Sequence, residues 1–327
     1  MMACRICSTE AEHKSYSVRE MQFGSREEFI YFQCKHCLCL QLKDIPDTVE
    51  KYYPDHYPSF PVVPSDQKQF LKSRLRKYAT RRVLDYRLAG KSYVGKLFEG
   101  AFGSRFIPYW LLHDGLNLSS ESKLLDVGCG GGSTLNYLAS IGFKYLSGID
   151  PFIPNDVTYV NGIRILKAPL ASVDDRFDFI MLHHSFEHMN EQLRTLKKLN
   201  SLLKPRQYVL IRIPLSSSFA WKHYGVNWAQ IDAPRHLFIH SPESMSLLAS
   251  KAGFNVTEIV YDSNAFQFWA SEQYARDIPM QSDESYGVNP SRSIFSTAQI
   301  DSYEAKARDL NQRRLGDQAC FFLRKSG

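Results

Sequence analysis

An apolar run, Lys123-Leu124-Leu125-Asp126-Val127, breaks into Gly128-Cys129-Gly130-Gly131-Gly132-Ser133 and passes straight into the helical pattern Leu135, Leu138, Ala139. Glycine tolerates positive φ and carries no Cβ, so a backbone built this way can turn sharply and come close to a ligand. The next apolar run, Tyr145-Leu146-Ser147-Gly148-Ile149-Asp150, ends on a carboxylate 22 residues beyond Gly128. An acid at the end of that second strand is placed to accept hydrogen bonds from both hydroxyls of a ribose. From residue 123 onward short apolar strands alternate with helical segments, which predicts an α/β layered domain. Strands are expected at 123–128, 144–150, 163–168, 177–183, 207–213, 254–262 and 319–325. Helices are expected near 132–141, 190–203, 242–252 and 300–314.

Two details choose among nucleoside ligands. The third glycine is Gly132, whereas a dinucleotide fingerprint would want it one residue later, where Ser133 stands. Asp126, two residues before the first glycine, would repel a pyrophosphate and attract an ammonium group. S-adenosylmethionine carries an ammonium, a sulfonium and free ribose hydroxyls, and no phosphate. The charges fit that ligand.

Over roughly residues 120–325 these features resemble class I S-adenosylmethionine-dependent methyltransferases. Asp126-Val127-Gly128-Cys129-Gly130-Gly131-Gly132 is similar to their first motif and Asp150 to their acidic second motif. Phe177 to His188 resembles the fourth strand and its loop, and Leu203-Lys204-Pro205-Arg206-Gln207 the turn into the fifth strand, with Arg206 and Gln207 where the family has paired glycines. The resemblance implies a Rossmann-like, seven-stranded, mostly parallel sheet whose last strand is antiparallel. It implies cofactor contacts from Asp126, Gly128, Gly130, Gly132, Asp150, Pro151 and His183.

Five of the seven cysteines fall in the first 39 residues. Cys4-x-x-Cys7, then 26 residues, then Cys34-x-x-Cys37 is the spacing of a four-thiolate zinc ribbon. Met1-Met2-Ala3-Cys4-Arg5 has no charged-then-apolar leader, so metal ligation is preferred to disulfides and a soluble, cytoplasmic protein is expected. Closed zinc sites hold fold rather than perform chemistry. Such a head before a methyltransferase domain also looks like bacterial enzymes that methylate sugars in secondary-metabolite or surface-polysaccharide pathways.

Methyl transfer is an in-line displacement, so alignment dominates and a base is needed only where the acceptor must lose a proton. His184 and His188, in the loop after the fourth strand, are candidate bases, with Glu187 placed to orient a neighbouring histidine. A second segment, Trp221 to Glu243, resembles the acceptor-side loop of methyltransferases encoded among surface-glycan genes. There His236 leads the candidates, with Asp232 or Arg235 as its orienter, and the aromatic rings of Trp221 and Trp228 would suit a sugar. Ser241-Pro242-Glu243 also reads as an N-cap followed by proline at the first helical position.

The expected organisation is a zinc-ribbon head at 1–45, a Pro/aromatic connector with a basic helical region at 46–118, and a methyltransferase domain at 119–327 with an insertion at 264–298. Between Asp66 and Lys96 ten Lys/Arg stand against two Asp, a balance of +8 in a chain whose total is +6. A solvated helix face explains that stretch, as does peripheral contact with a membrane or a lipid-linked acceptor. Without a second basic run or an RNA-binding motif, nucleic acid is disfavoured. The expected activity is methylation of a small acceptor, foremost a sugar or glycan hydroxyl. A quinone, lipid or RNA acceptor, or a non-catalytic zinc-containing scaffold, are the alternatives.

Overall fold

The computed structural model describes residues 1–54, 74–90 and 92–326. Most of the Pro/aromatic connector, the first part of the basic stretch and Lys91 lie outside the described residues. The chain forms two compact units, each assembled from separated stretches. One comprises Met1–Tyr52, Phe186–Arg194 and Arg212–Phe322; the other comprises Tyr53–Ser185, Thr195–Ile211 and Leu323–Gly327.

The first unit opens with a small antiparallel pair, β1 (Met2–Ala3) and β2 (Glu10–Ala11). Then come β3 (Lys14–Arg19), β4 (Glu28–Gln33) and β5 (Leu40–Leu42), each antiparallel to the next. Along β4 the exposed Glu28 and Ile30 alternate with the buried Phe29 and Tyr31, so the period-two pattern in the sequence is realised as a hairpin.

In the second unit β6 (Lys123–Val127), β7 (Tyr145–Ile149), β8 (Val157–Thr158), β9 (Arg164–Leu166), β10 (Phe177–His183) and β11 (Leu203–Pro214, within this unit through Ile211) form a sheet in the order β11-β10-β6-β7-β9-β8. The β10/β6, β6/β7 and β7/β9 pairs are parallel, whereas the two-residue β8 runs antiparallel to β9. Each of the seven expected strands is present. The short β8 is an addition that no apolar run signals. Leu124, Leu125, Val127, Phe179, Ile180, Met181 and Leu182 are all buried, as parallel strands covered on both faces require. The chain passes from β6 to β7 on one side and later returns to β10 on the other. That makes the carboxyl end of β6 a topological switch point, where open α/β sheets bind ligands.

Arg206, where the resembling family has glycine, holds φ +62° within β11. Helices Arg74–Ala89 and Tyr93–Phe102 occupy the described part of the basic region. There Arg81 binds Ser120 and Glu121, and Arg87 binds Glu99, so part of its charge is paired internally.

Back in the first unit, β12 (Phe238–Ile239) pairs antiparallel with β5, giving a four-stranded sheet in the order β12-β5-β4-β3. The cysteine-bearing ribbon is thus completed by residues some two hundred positions away rather than closing on itself. Neighbouring strands β13 (Phe254–Tyr261) and β14 (Gln318–Lys325) also enter this unit. Helix Pro242–Lys251 begins at Ser241, whose side chain accepts from Ser244 N in a reciprocal capping box, with proline at the first position as the sequence indicates. The expected insertion contains a helix, Phe266–Ala275, whose Ala270 and Tyr274 pack with Met21, Ala229 and Met280. Among the described residues no helix is long and apolar enough to cross a membrane.

Candidate functional site

At the carboxyl ends of β6 and β7, Gly128, Gly130 and Gly132 have φ of +74°, +51° and +76°. A Cβ on Gly128 would fall 2.4 Å from the Ser185 Cβ, and one on Gly132 would fall 2.0 Å from Ile165 Cδ1. The glycines are therefore dictated by both backbone angle and space. Ser185 donates to Val127 O at 2.6 Å, and Tyr159 OH donates to Gly131 O, so two residues the sequence reading did not single out brace the turn.

Asp150 is fixed by backbone amides. Gly130 N donates to its Oδ2 and Phe152 N to its Oδ1, both at 2.9 Å. Each carboxylate oxygen keeps further acceptor capacity for a hydroxyl. Asp126 is 2% exposed, and its Oδ1 has no hydrogen-bond partner among the described residues. Burial, reinforced by the negative charge of Asp150, pushes the Asp126 carboxyl up to about 7. A buried acid lacking a donor, beside a second acid, suits a cationic ligand and no anionic one. Pro151, next in sequence, is exposed, and His183 at the end of β10 packs against Trp110 with ring centroids 5.0 Å apart. His184 follows in the left-handed region at φ +51°.

The other two candidate bases meet in the first unit. The rings of His188 and His236 lie 4.7 Å apart at 70°. Nδ1 of His188 bonds Arg235 O at 2.9 Å, and Nδ1 of His236 bonds Gln230 O at 2.8 Å. Nε2 of His236 is 3.8 Å from Glu187 Oε1 and 3.9 Å from Asp232 Oδ2. Desolvation lowers the His188 pKa to about 4, so its ring is neutral near pH 7. Arg235 is fully buried and paired with Asp232 at 2.7 Å and with Glu20 at 2.9 Å. Tyr31 OH donates to His236 O at 2.8 Å. Glu20, Tyr31 and Gln230 carry no motif, so nothing in the sequence announces that they brace the histidines.

Trp221 and Trp228, read from the sequence as rings for a sugar, are core residues. They are 6% and 1% exposed, Trp221 packs edge-on to Tyr16, and Trp228 Nε1 donates to Asp317. The apolar body of each ring is more stabilising inside this unit than at its surface.

The four cysteines Cys4, Cys7, Cys34 and Cys37 bring their sulfurs within 4.8 Å of one another. Cys4–Cys37 and Cys7–Cys34 are 3.6 and 3.5 Å apart, far beyond an S–S bond of about 2.05 Å. They approach the edge of roughly 3.8 Å expected for a tetrahedron with Zn–S near 2.3 Å. The two halves repeat one another. Ile6 N and His36 N each point at a sulfur from 3.4 Å, and Ser8 N and Leu38 N each return to the carbonyl of the first cysteine. Amide donors of this kind support thiolate charge. Cys39 is buried and stands outside the four, as does His36.

The strand order, the glycine turn and the two acids define the class I methyltransferase α/β fold. In agreement, residues 101–259 match the family model described as a methyltransferase domain. The glycine/sarcosine/dimethylglycine N-methyltransferase of Actinopolyspora halophila is 27% identical over 120 residues, which are 33% of this chain and 21% of that enzyme's length. Among solved structures, mycolic acid cyclopropane synthase CmaA1 complexed with SAH and CTAB is 18% identical with a TM-score of 0.40, over 63% of this chain and 78% of that one. A SAM-dependent methyltransferase from Archaeoglobus fulgidus is 19% identical with a TM-score of 0.39, over 63% and 86%.

Proposed function

We propose that the protein transfers a methyl group from S-adenosylmethionine to a small acceptor. The observation that carries this reading is the buried, partnerless Asp126 Oδ1 beside an amide-anchored Asp150, at the switch point of a sheet matching a methyltransferase domain. The cofactor supplies a methyl carbon already activated by sulfonium. Gly128, Gly130 and Gly132 give it backbone to lie against, Asp150 meets the ribose diol, and Asp126 supplies negative potential for the ammonium, with Pro151 and His183 at the rim. The acceptor is foremost a sugar or glycan hydroxyl, with His236, His188 and His184 as candidate bases for its proton. An amine acceptor is the second reading, favoured by the N-methyltransferase relative; an unprotonated amine needs no base. Cys4, Cys7, Cys34 and Cys37 hold a structural Zn2+ that closes the ribbon.

Calorimetry with S-adenosylmethionine tests the cofactor assignment, and no heat at millimolar ligand would refute it. Incubation with methyl-labelled cofactor and panels of sugar nucleotides or glycine-type amines separates the acceptors. Label in the amine panel alone would refute the sugar reading.

A further inference from the structure

Glu187, His188 and His236 lie away from the cysteines and do more than a hydrogen-bonded histidine pair requires. One donor atom from each of the three falls within a sphere of 4.8 Å separation. The Asp232 carboxylate adds a fourth, 3.9 Å from His236 Nε2. We propose that these residues form a second metal site, for a divalent first-row cation of the zinc type, separate from the cysteine ribbon. The inference does not depend on the methyl-transfer reading.

The tautomers are the first argument. A carbonyl oxygen can only accept, so the contacts of His188 Nδ1 with Arg235 O and of His236 Nδ1 with Gln230 O place the proton of each neutral ring on Nδ1. Both rings therefore carry their lone pair on Nε2. Metal-ligating histidines are held in this way, one nitrogen on the ion and the other donating to a carbonyl or carboxylate. Two histidines doing the same thing side by side is what a ligand pair needs.

Spacing is the second. His236 Nε2 stands 3.8 and 3.9 Å from carboxylate oxygens of Glu187 and Asp232, beyond a hydrogen bond on both sides. At a tetrahedral angle, an ion about 2.0–2.2 Å from each donor would hold nitrogen and oxygen roughly 3.3–3.6 Å apart, so these gaps would close by a few tenths of an ångström on binding. The third argument is chemical. Carboxylate oxygens of Glu187 and Asp232 both face His236 Nε2, and a buried set of imidazole and carboxylate donors is one that a divalent cation stabilises. The backbone is braced as well: Leu237 N donates to Glu187 O at 2.9 Å, and Tyr31 OH donates to His236 O. Two imidazoles with carboxylates and no thiolate suit zinc and its neighbours better than calcium or magnesium. An ion on Nε2 would occupy the lone pair that a general base needs, so in the loaded protein His184 would be the remaining candidate base.

The test uses the full chain, stripped with EDTA, dialysed and titrated with Co2+ alone. Cobalt on the four cysteines shows thiolate-to-cobalt charge-transfer absorption, whereas cobalt on nitrogen and oxygen shows only d–d bands. The proposal expects two equivalents per chain, one of them without charge transfer. His236→Gln and Glu187→Gln should each lose that equivalent and keep the thiolate band, which also reports that the variants are folded. If wild-type protein binds cobalt only with thiolate absorption, or if the second equivalent survives in both variants, the proposal is wrong. The wild-type stoichiometry decides the matter even should a variant fail to fold.

Discussion

Replacing Asp126 with asparagine keeps the shape of the side chain and removes a charge from a place where charge is expensive. Burial and the neighbouring Asp150 raise its pKa from the ordinary 3.8 to about 7. In the unfolded chain this acid loses its proton first as pH rises, so its contribution to stability is greatest below 3.8, declines from there to about 7, and is flat above. At 1.36 kcal/mol for each tenfold change in proton affinity, the decline is at most about 4 kcal/mol, and relaxation of the interior reduces it. With roughly 2–4 °C for each kcal/mol in a domain of this size, ligand-free D126N should melt several degrees above wild type at pH 8 and no higher at pH 4. Cofactor binding should move the other way. A bound ammonium pulls the Asp126 proton off, so between pH 6 and pH 8 the ionised fraction of ligand-free protein climbs from about a tenth to about nine tenths, and affinity rises about tenfold. D126N should lack that rise and bind at least tenfold more weakly at pH 8. Differential scanning calorimetry gives the first comparison, and isothermal calorimetry in two buffers of different protonation heat gives the second. Titration of the ligand's own amine is common to both proteins and cancels in the ratio. The reasoning is refuted if the two proteins share one pH slope for binding, or if D126N fails to gain stability at pH 8.

Gly132→Ala should destabilise the second unit by about 1–3 kcal/mol and abolish detectable cofactor binding, because its Cβ would sit 2.0 Å from Ile165 at φ +76°; chemical denaturation and calorimetry check the two effects. Arg206→Gly should stabilise by about 1 kcal/mol, since the residue already occupies the left-handed region at φ +62° where an L side chain is strained; a shift of the urea midpoint to lower concentration would contradict this. Arg235→Met should cost about 3–5 kcal/mol, because it leaves Glu20 and Asp232 buried without their cation; urea unfolding measures it, and a loss below 1 kcal/mol would show the pair to be dispensable. Cys37→Ser should lower zinc content by one equivalent and reduce thermal stability; unchanged elemental analysis would remove the four-sulfur reading.

What was legible in the sequence was whatever lies close together along it. The run from Lys123 to Asp150 contains two strands, the turn and both acids within one βαβ unit, so periodicity and glycine placement sufficed to locate the pocket. Ser241 and Pro242 announced a helix start because capping is local chemistry. The two-residue β8 and the helix Phe266–Ala275 escaped notice. The first is too short to have a period, and the second buries residues around much of its circumference, including Gln267, Ser271 and Gln273, so no apolar stripe marks it. Trp221 and Trp228 misled for a related reason: an aromatic among polar neighbours reads the same whether its ring faces a ligand or a core.

The histidine cluster was hidden by distance in the chain, and that same distance gives the cysteine ribbon a role beyond holding its own loops. Arg235 reaches Glu20 across 215 positions, and Tyr31 reaches His236 across 205. Ser241 Oγ donates to Cys37 O at 2.8 Å, and Ser216 Oγ donates to Leu38 O at 2.7 Å, so the second cysteine knuckle is tied directly to the segments flanking β12. A metal that fixes the knuckle therefore fixes the strand next to His236, because β5 and β12 share a ladder through Leu40↔Ile239 and Gln41↔Phe238. An ion on the four sulfurs would act as a staple for the ribbon, and its release would loosen the ribbon's hold on β12. The chain order of motifs, head first and histidines late, conceals one compact unit that holds both the cysteines at residues 4–37 and the imidazole at residue 236. Histidine proton resonances followed during zinc removal from Glu187→Gln, which lacks the proposed second site, report on that coupling: His236 should broaden or shift together with loss of the cysteine-bound metal, and an unmoved His236 signal in the zinc-free variant would sever the link.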